Sequence, residues 1–322
     1  MRTDRPTLLI FGKPPGAWMK KVADVSEWTQ LETSEDSTEA AQKIGGAEIV
    51  FIWMGTQRWL RDCWGNASRL KWVQSCSAGL DSLLFPELVE SAVVLTNGRG
   101  LYGPPLAEFA MTCALHFAKN LRALEENRLQ RRWQRYHPKE LRGQTMGIVG
   151  LGGTGRATAR LAQAFGMRVL ATKRNNGAGA GDGIELLGRD RLHDLLAESD
   201  YVVNALPLTE ETRGMFGEAE FHAMKTTACF INVGRGGTVR ESVLVRALRE
   251  GWIGSAGLDV FETEPLPRES ELYALPNVIL SPHSADQTAS SLDASSGILR
   301  ENVRRYLSGE PLENLVDKRQ GY

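Results

Sequence analysis

Four short segments hold the residues of this sequence that could do chemistry. The first, Gly147-Ile148-Val149-Gly150-Leu151-Gly152-Gly153-Thr154-Gly155, carries G-x-G-x-x-G spacing at Gly150, Gly152 and Gly155. An apolar run precedes it and a helical pattern opens through Gly153 and Thr154, the setting in which that spacing binds a dinucleotide. Gly150 permits the tight turn, Gly152 lets backbone approach a pyrophosphate, and Gly155 lets helix pack close to strand. The helix N-terminus then offers N–H groups to the phosphates. The other three segments each follow a predicted strand: Phe230–Gly237 with Arg235, Gly257–Pro267 with Asp259 and Glu264, and Leu280–Ala285 with His283. Open α/β sheets bind ligands at such strand ends. Histidine suits proton transfer near neutrality, and arginine binds carboxylates by paired hydrogen bonds.

The strand after the glycine turn ends in Thr172-Lys173-Arg174-Asn175, with no carboxylate until Asp182. An acid there would hold the ribose hydroxyl of NAD, whereas two cations with Thr and Asn suit a 2′-phosphate. NADP(H) is therefore the predicted cofactor, with NAD(H) the alternative. No metal is expected. Cys63, Cys76, Cys113 and Cys229 form no C-x-x-C pair and share no ligand spacing with histidine, so they read as free thiols of a reducing cytoplasm. His116, His137, His193 and His222 have no setting like that of His283 and read as ordinary.

These segments need a scaffold that presents strand ends. Short apolar runs at Thr7–Phe11, Glu48–Trp53, Lys71–Ser75 and Val93–Thr96 alternate with amphipathic stretches such as Ser37–Ile44 and Thr56–Trp64. A Gly/Pro break at Gly98–Pro105 follows, then a long helical region from Leu106 to about Arg135. Its first half is apolar. Its second half carries seven charges among Leu121, Leu124, Leu129 and Trp133, and reads equally as a projecting interface element or a solvated face. A second alternating series has six predicted strands: Thr145–Val149, Arg168–Ala171, Tyr201–Ala205, Cys229–Val233, Gly257–Val260 and Val278–Leu280. A final helix is expected over Ala289–Leu307. Such alternation predicts parallel sheets with crossover helices, and 322 residues suit two α/β domains. With 38 Lys+Arg against 39 Asp+Glu, the net charge of -1 gives no overall electrostatic case for nucleic acid or an anionic membrane. The longest apolar runs are far too short to span a bilayer, so a cytoplasmic protein is expected.

Taken in order, these segments resemble the D-isomer-specific 2-hydroxyacid dehydrogenase family, over nearly the whole chain. Ser77-Ala78-Gly79-Leu80-Asp81, Ala107-Glu108, Gly147–Gly155, Leu206-Pro207-Leu208-Thr209 and Asn314-Leu315-Val316-Asp317 match its pattern as well. The resemblance implies a Rossmann cofactor domain, about residues 102–288, inserted in a flavodoxin-like substrate domain of about 1–101 plus 289–322. An interdomain cleft would close about hinges near Gly103 and Ala285. It implies Arg235, Glu264 and His283 as catalytic residues: His283 as proton donor, Glu264 holding the imidazolium, and Arg235 on the substrate carboxylate. The backbone N–H groups of Ala78 and Gly79 would hold that carboxylate too, with Met54, Leu80 and Tyr102 as candidate side-chain pocket residues. Asp259 corresponds to the family residue near the nicotinamide carboxamide. Leu206, Pro207, Thr212, Val233, Gly234 and Ala285 are the further implied cofactor contacts.

The activity implied is reversible reduction of a small 2-keto acid, such as glyoxylate or hydroxypyruvate, to the D-2-hydroxy acid. The alternatives are oxidation of phosphite or phosphoglycerate, and a catalytically weak NAD(P)-sensing binding protein of the same fold. The charged segment at about 120–140 resembles the family's helical dimerisation arm, which implies a homodimer. Two departures stand out. Thr154 occupies a position often apolar in the family. Asp286 follows the His283 loop and could tune specificity or, the favoured reading, cap the C-terminal helix.

Overall fold

A computed structural model describes residues 5–173 and 183–321. The chain divides into two compact units, Met1–Tyr102 with Gln287–Tyr322, and Gly103–Asp286. Each is a parallel sheet with helices between its strands.

The first unit has β1 (Thr7–Phe11), β2 (Gln30–Ser34), β3 (Ile49–Ile52), β4 (Trp72–Ser75) and β5 (Val94–Thr96), in the order β2-β1-β3-β4-β5. That is the flavodoxin-like order. β1 and β3 are continuous apolar runs because both faces are covered. β2 was not expected from the sequence. Its residues, Gln-Leu-Glu-Thr-Ser, are mostly exposed, and it pairs only with β1, so as an edge strand it carries no core signal. The helix Ala289–Ser308 belongs to this unit. Its Ser295 Oγ accepts the buried Trp18 indole N–H at 2.8 Å, and its Tyr306 ring stacks on Trp72.

The second unit has β6 (Thr145–Val149), β7 (Arg168–Thr172), β8 (Glu185–Leu187), β9 (Tyr201–Asn204), β10 (Cys229–Asn232), β11 (Ser255–Leu258) and β12 (Val278–Leu280). The order β12-β11-β10-β9-β6-β7-β8 is all parallel. It is a Rossmann sheet with one strand added beyond the usual six, and the order reverses between β6 and β9. Among the described residues seven strands stand where six were expected, because β8 is a three-residue edge strand with little apolar pattern. The fold class read from the sequence, two doubly wound parallel-sheet units, is the one observed.

The long helical region is broken. Gly103–Lys119 is one helix and Leu121–Leu129 another, and between them Asn120 turns left-handed (φ 47°) while its side chain caps the second at Ala123 N. Residues 130–140 form no helix, so the expected arm of about 120–140 is helical only to Leu129. Among the described residues, no helix is long and apolar enough to cross a membrane.

Candidate active site

The glycine turn leaves β6 at the point where the strand order reverses. Gly150 has φ +102°, a conformation that side-chain-bearing residues rarely adopt. A Cβ at Gly155 would stand 2.2 Å from Gly150 O, so only glycine lets the helix Gly153–Ala164 start this close to the strand. A Cβ at Gly152, by contrast, would meet nothing within 4 Å. That helix has no side-chain cap and no acid in its first turn. Its first N–H groups therefore have no side-chain cap, and among the described residues nothing lies within 4 Å of a Cβ on Gly152, which suits the approach of a pyrophosphate. The chain fits a dinucleotide here. Thr154 sits in the first turn, where its carbonyl accepts from Thr158 Oγ1 at 3.0 Å.

Lys173 directly follows β7; Arg174, Asn175 and Asp182 lie outside the described residues. The loop after β9 is built by Thr212, whose hydroxyl donates to Pro207 O at 2.7 Å and accepts from Thr209 N at 2.8 Å. Leu206 N donates to Asn204 Oδ1 at 3.2 Å. A Cβ at Gly234 would stand 2.6 Å from Leu206 O, so the loops after β9 and β10 touch through backbone. Val233, expected at the cofactor, is 4% exposed at the end of β10.

Arg235 follows β10 and rests on a buried polar network. Asn204 and Asn232 close two apolar strands in register and are joined at 3.0 Å. Asn204 also donates to Thr238 Oγ1, and the Thr238 hydroxyl donates to Arg235 O at 2.6 Å. Asn232 Oδ1 accepts from Gly234 N at 3.1 Å. Sequence reasoning missed these three residues. The signal was present: an amide ending both Tyr-Val-Val-Asn and Cys-Phe-Ile-Asn, where buried polar groups need partners.

Asp259 follows β11, is 1% exposed, and organises the histidine loop after β12. Its Oδ1 accepts from Ser281 Oγ at 2.6 Å and from Ser284 N and Ala285 N at 3.0 Å each. Its carbonyl accepts from His283 N at 2.9 Å. These bonds hold His283 at φ +52°, a strained setting of the kind found at functional sites.

Glu264 Oε1 accepts from Phe261 N at 3.0 Å, and its Oε2 lies 2.7 Å from His283 Nδ1. That bond raises the His283 pKa above its ordinary 6.5, burial and the charge of Arg235 opposing it. Burial would raise Glu264, but the His283 bond, the Phe261 N–H and the charges of His283 and Arg235 together bring it below its ordinary value. Arg235, Glu264 and His283 thus form one electrostatic group. Asp286 stands close enough to feel both cations; burial lifts its carboxyl, and Asp259 pushes the same way. It does not cap the C-terminal helix as expected. Thr288 does, accepting from Ser291 N at 3.2 Å, because the helix starts at Ala289 and the cap must adjoin it.

The expected substrate residues lie in the other unit. Ala78 is exposed, with its carbonyl accepting from Asn97 Nδ2 at 2.8 Å, and Gly79 is half-buried. Leu80, expected at the side-chain pocket, is 2% exposed and packs in the apolar core of its unit. The Tyr102 hydroxyl donates to Cys76 O. Met54 packs on the core, and its Sδ accepts from Gln287 Nε2. Among the described residues, no cluster of His, Cys, Asp or Glu could hold a metal ion.

Comparison with known proteins agrees with this fold. The profile of the "D-isomer specific 2-hydroxyacid dehydrogenase, NAD binding domain" matches residues 111–285. A glyoxylate reductase of Thermococcus kodakarensis is 36% identical over 309 residues, covering 93% of this chain and 92% of that protein. The crystal structure of a D-isomer-specific 2-hydroxyacid dehydrogenase family protein from Aeromonas salmonicida superposes with TM-score 0.87 at 32% identity, over 98% of this chain and all of that one. An NADPH-dependent glyoxylate/hydroxypyruvate reductase from Sinorhizobium meliloti, solved with NADP and sulfate, gives 0.86 at 29% identity, over 99% of this chain and all of that one. The chain belongs to the D-isomer-specific 2-hydroxyacid dehydrogenase family, and residues 111–285 are its NAD-binding domain.

Proposed function

We propose that this protein reduces a small 2-keto acid to the D-2-hydroxy acid, with glyoxylate and hydroxypyruvate as its first substrates and NADPH preferred over NADH. The observation that carries this is the His283–Glu264 pair, 2.7 Å apart and electrostatically coupled to Arg235, in the same unit as a glycine turn shaped for a dinucleotide. The glyoxylate reductases among its relatives support the substrate class, and the NADP-bound reductase supports the cofactor.

Gly150, Gly152 and Gly155 would hold a reduced nicotinamide dinucleotide, which would supply the hydride for the keto carbon. The chain must supply a proton to the oxygen, orientation and charge. With Nδ1–H held by Glu264, the proton to be transferred sits on His283 Nε2. Glu264 keeps the ring charged until transfer and leaves Nδ1 protonated after it. Arg235 binds the carboxylate and draws negative charge toward the keto oxygen. Ala78 and Gly79 would add backbone donors to the carboxylate, and Asp259 would face the carboxamide with the part of its carboxylate that the histidine loop does not use. Lys173 and Arg174 would hold the 2′-phosphate.

The test follows nicotinamide absorbance with glyoxylate, hydroxypyruvate and larger keto acids. Turnover that falls about 10²- to 10⁴-fold in His283→Ala supports the reading. Silence across the panel with both cofactors overturns it.

The working form is proposed to be a cytoplasmic homodimer joined through the segment Leu121–Arg135, where Leu129 is 66% and Trp133 95% exposed in the single chain. Light scattering giving a mass near 35.5 kDa at micromolar concentration refutes the dimer.

A further inference from the structure

Two glutamates outside the catalytic group join its two main loops. Glu262 N donates to Glu241 Oε2 at 3.0 Å, and Glu241 N donates to Glu262 Oε2 at 3.2 Å. Each residue offers its amide to the other's carboxylate. Glu241 is the first residue of the helix Glu241–Arg249, which has no side-chain cap from Arg240. The Glu262 carboxylate therefore caps this helix from another loop, where its charge also opposes the helix dipole.

The placement of the pair gives it a consequence for the site. Arg235 lies on the loop that leads into that helix, and Glu264 lies two residues after Glu262. At the near end of the same seam, a Cβ on Gly236 would stand 1.8 Å from Phe261 O. The two loops are thus in backbone contact beside Arg235 and tied reciprocally beside Glu241. Phe261 N is itself held by Glu264 Oε1 at 3.0 Å. A shift of either loop along the seam must break both glutamate bonds.

We propose that Glu241 and Glu262 form a reciprocal clamp that sets the position of Arg235 relative to the Glu264–His283 pair, which makes both glutamates positioning residues for the reaction. Neither takes part in the chemistry assigned above, and the role rests on that assignment. Two carboxylates in one place repel. Burial raises the Glu241 carboxyl, and the charge of Glu262 adds to that, while the Glu262 N–H opposes both. Such a pair persists when each carboxylate accepts an N–H, as these do.

The test reads His283 directly. Its imidazole is titrated by NMR in the intact protein and in Glu262→Ala, Glu241→Ala, the double variant and Glu262→Gln. The clamp predicts that each alanine variant moves the His283 pKa further above 6.5, because a displaced Arg235 no longer opposes the Glu264 bond. It also predicts that kcat/KM falls on the order of tenfold, with a rise in the keto-acid KM from a displaced Arg235. The double variant should add little to either single one, since both remove the same clamp. Glu262→Gln keeps an oxygen to accept Glu241 N–H and should restore both readouts most of the way. Variants that lower only the melting temperature, with His283 titrating and KM reading as in the parent, overturn the clamp and leave a helix cap. If the parent reduces no keto acid while His283 still shifts in the alanine variants, the proposed function fails and the clamp stands.

Discussion

His283 Nδ1 and Glu264 Oε2 are 2.7 Å apart, and the pair changes both members in opposite directions: the imidazole pKa rises and the carboxyl pKa falls. Keto-acid reduction uses the protonated imidazole. The rate should therefore be high below the raised His283 pKa and fall about tenfold per pH unit above it, and the reverse oxidation should rise over the same interval. Glu264→Gln keeps an acceptor for Nδ1–H but removes the charge. The descending limb should move to lower pH, toward 6.5, in a pH–kcat/KM profile. An unmoved limb would show that Glu264 does not set the proton affinity of His283.

The same pair makes stability pH-dependent. A raised histidine pKa gives stability that is complete below about 6.5 and is lost as pH climbs through the folded value. A lowered carboxyl pKa gives stability that is complete above about 4.5 and is lost as pH drops through the folded value. The pair thus stabilises within a window closed at the acid end by Glu264 and at the alkaline end by His283. His283→Gln should flatten the alkaline edge in melting temperature against pH. The effect is small, because both side chains are partly exposed and screened.

Three glycines separate folding from binding. Gly155→Ala drives a methyl to 2.2 Å from Gly150 O, and Gly236→Ala drives one to 1.8 Å from Phe261 O. Both contacts are with backbone that cannot rotate away, so each should destabilise by about 3 kcal/mol or more. Gly152→Ala meets open space and should cost about 1 kcal/mol or less. Its methyl occupies the approach to the pyrophosphate, so cofactor affinity should drop at least about tenfold. Calorimetry together with a cofactor titration checks all three. Normal cofactor binding by Gly152→Ala would place the phosphates elsewhere.

Sequence alone revealed what depends on local pattern. β6 reads as a buried strand because five consecutive residues are covered on both faces, and the glycine turn follows it directly. Arg235, Glu264 and His283 each lie in a segment after a predicted strand, and their roles were implied by the family resemblance of those segments. What escaped depends on tertiary context. β2 and β8 are edge strands whose polar or short sequences carry no period. Asn120 looked like a helix residue until its backbone turned left-handed and split the helix in two. Asp286 lost the helix cap to Thr288 by two positions, a margin that pattern reading does not resolve. Leu80 is apolar and adjoins Gly79, a pattern that suits a pocket wall or a core equally, and its burial at 2% could not be read from it.

The cofactor preference turns on the end of β7. Lys173 follows Thr172 where an NAD-selective sheet would place an acid, and Arg174 comes next in sequence. Arg174→Ser with Lys173→Ala should raise the KM for NADPH by about tenfold or more and leave that for NADH within about twofold, since only the 2′-phosphate loses partners. Initial rates with each cofactor at saturating keto acid measure this. A parent protein that binds NADH more tightly than NADPH would refute the preference outright.

Asp259 offers the most selective test of how the histidine is delivered. One carboxylate oxygen accepts three hydrogen bonds from Ser281, Ser284 and Ala285, and its carbonyl holds His283 N. Asp259→Asn retains an oxygen for the two backbone donors and for Ser281, but loses the charge that strengthens all three bonds. Asp259→Ala removes the acceptor of the part-buried Ser284 and Ala285 N–H groups, a penalty of at most about 1–3 kcal/mol for each. His283 at φ +52° is strained, so a loosened loop should relax it away from Glu264. Asp259→Ala should therefore lose stability and nearly all turnover, while Asp259→Asn keeps its melting temperature to within about 1–2 kcal/mol of equivalent stability and loses activity chiefly through kcat. Crystal structures of both variants would locate His283. An alanine variant with the ring still bonded to Glu264 would show that the chain, and not Asp259, fixes the loop.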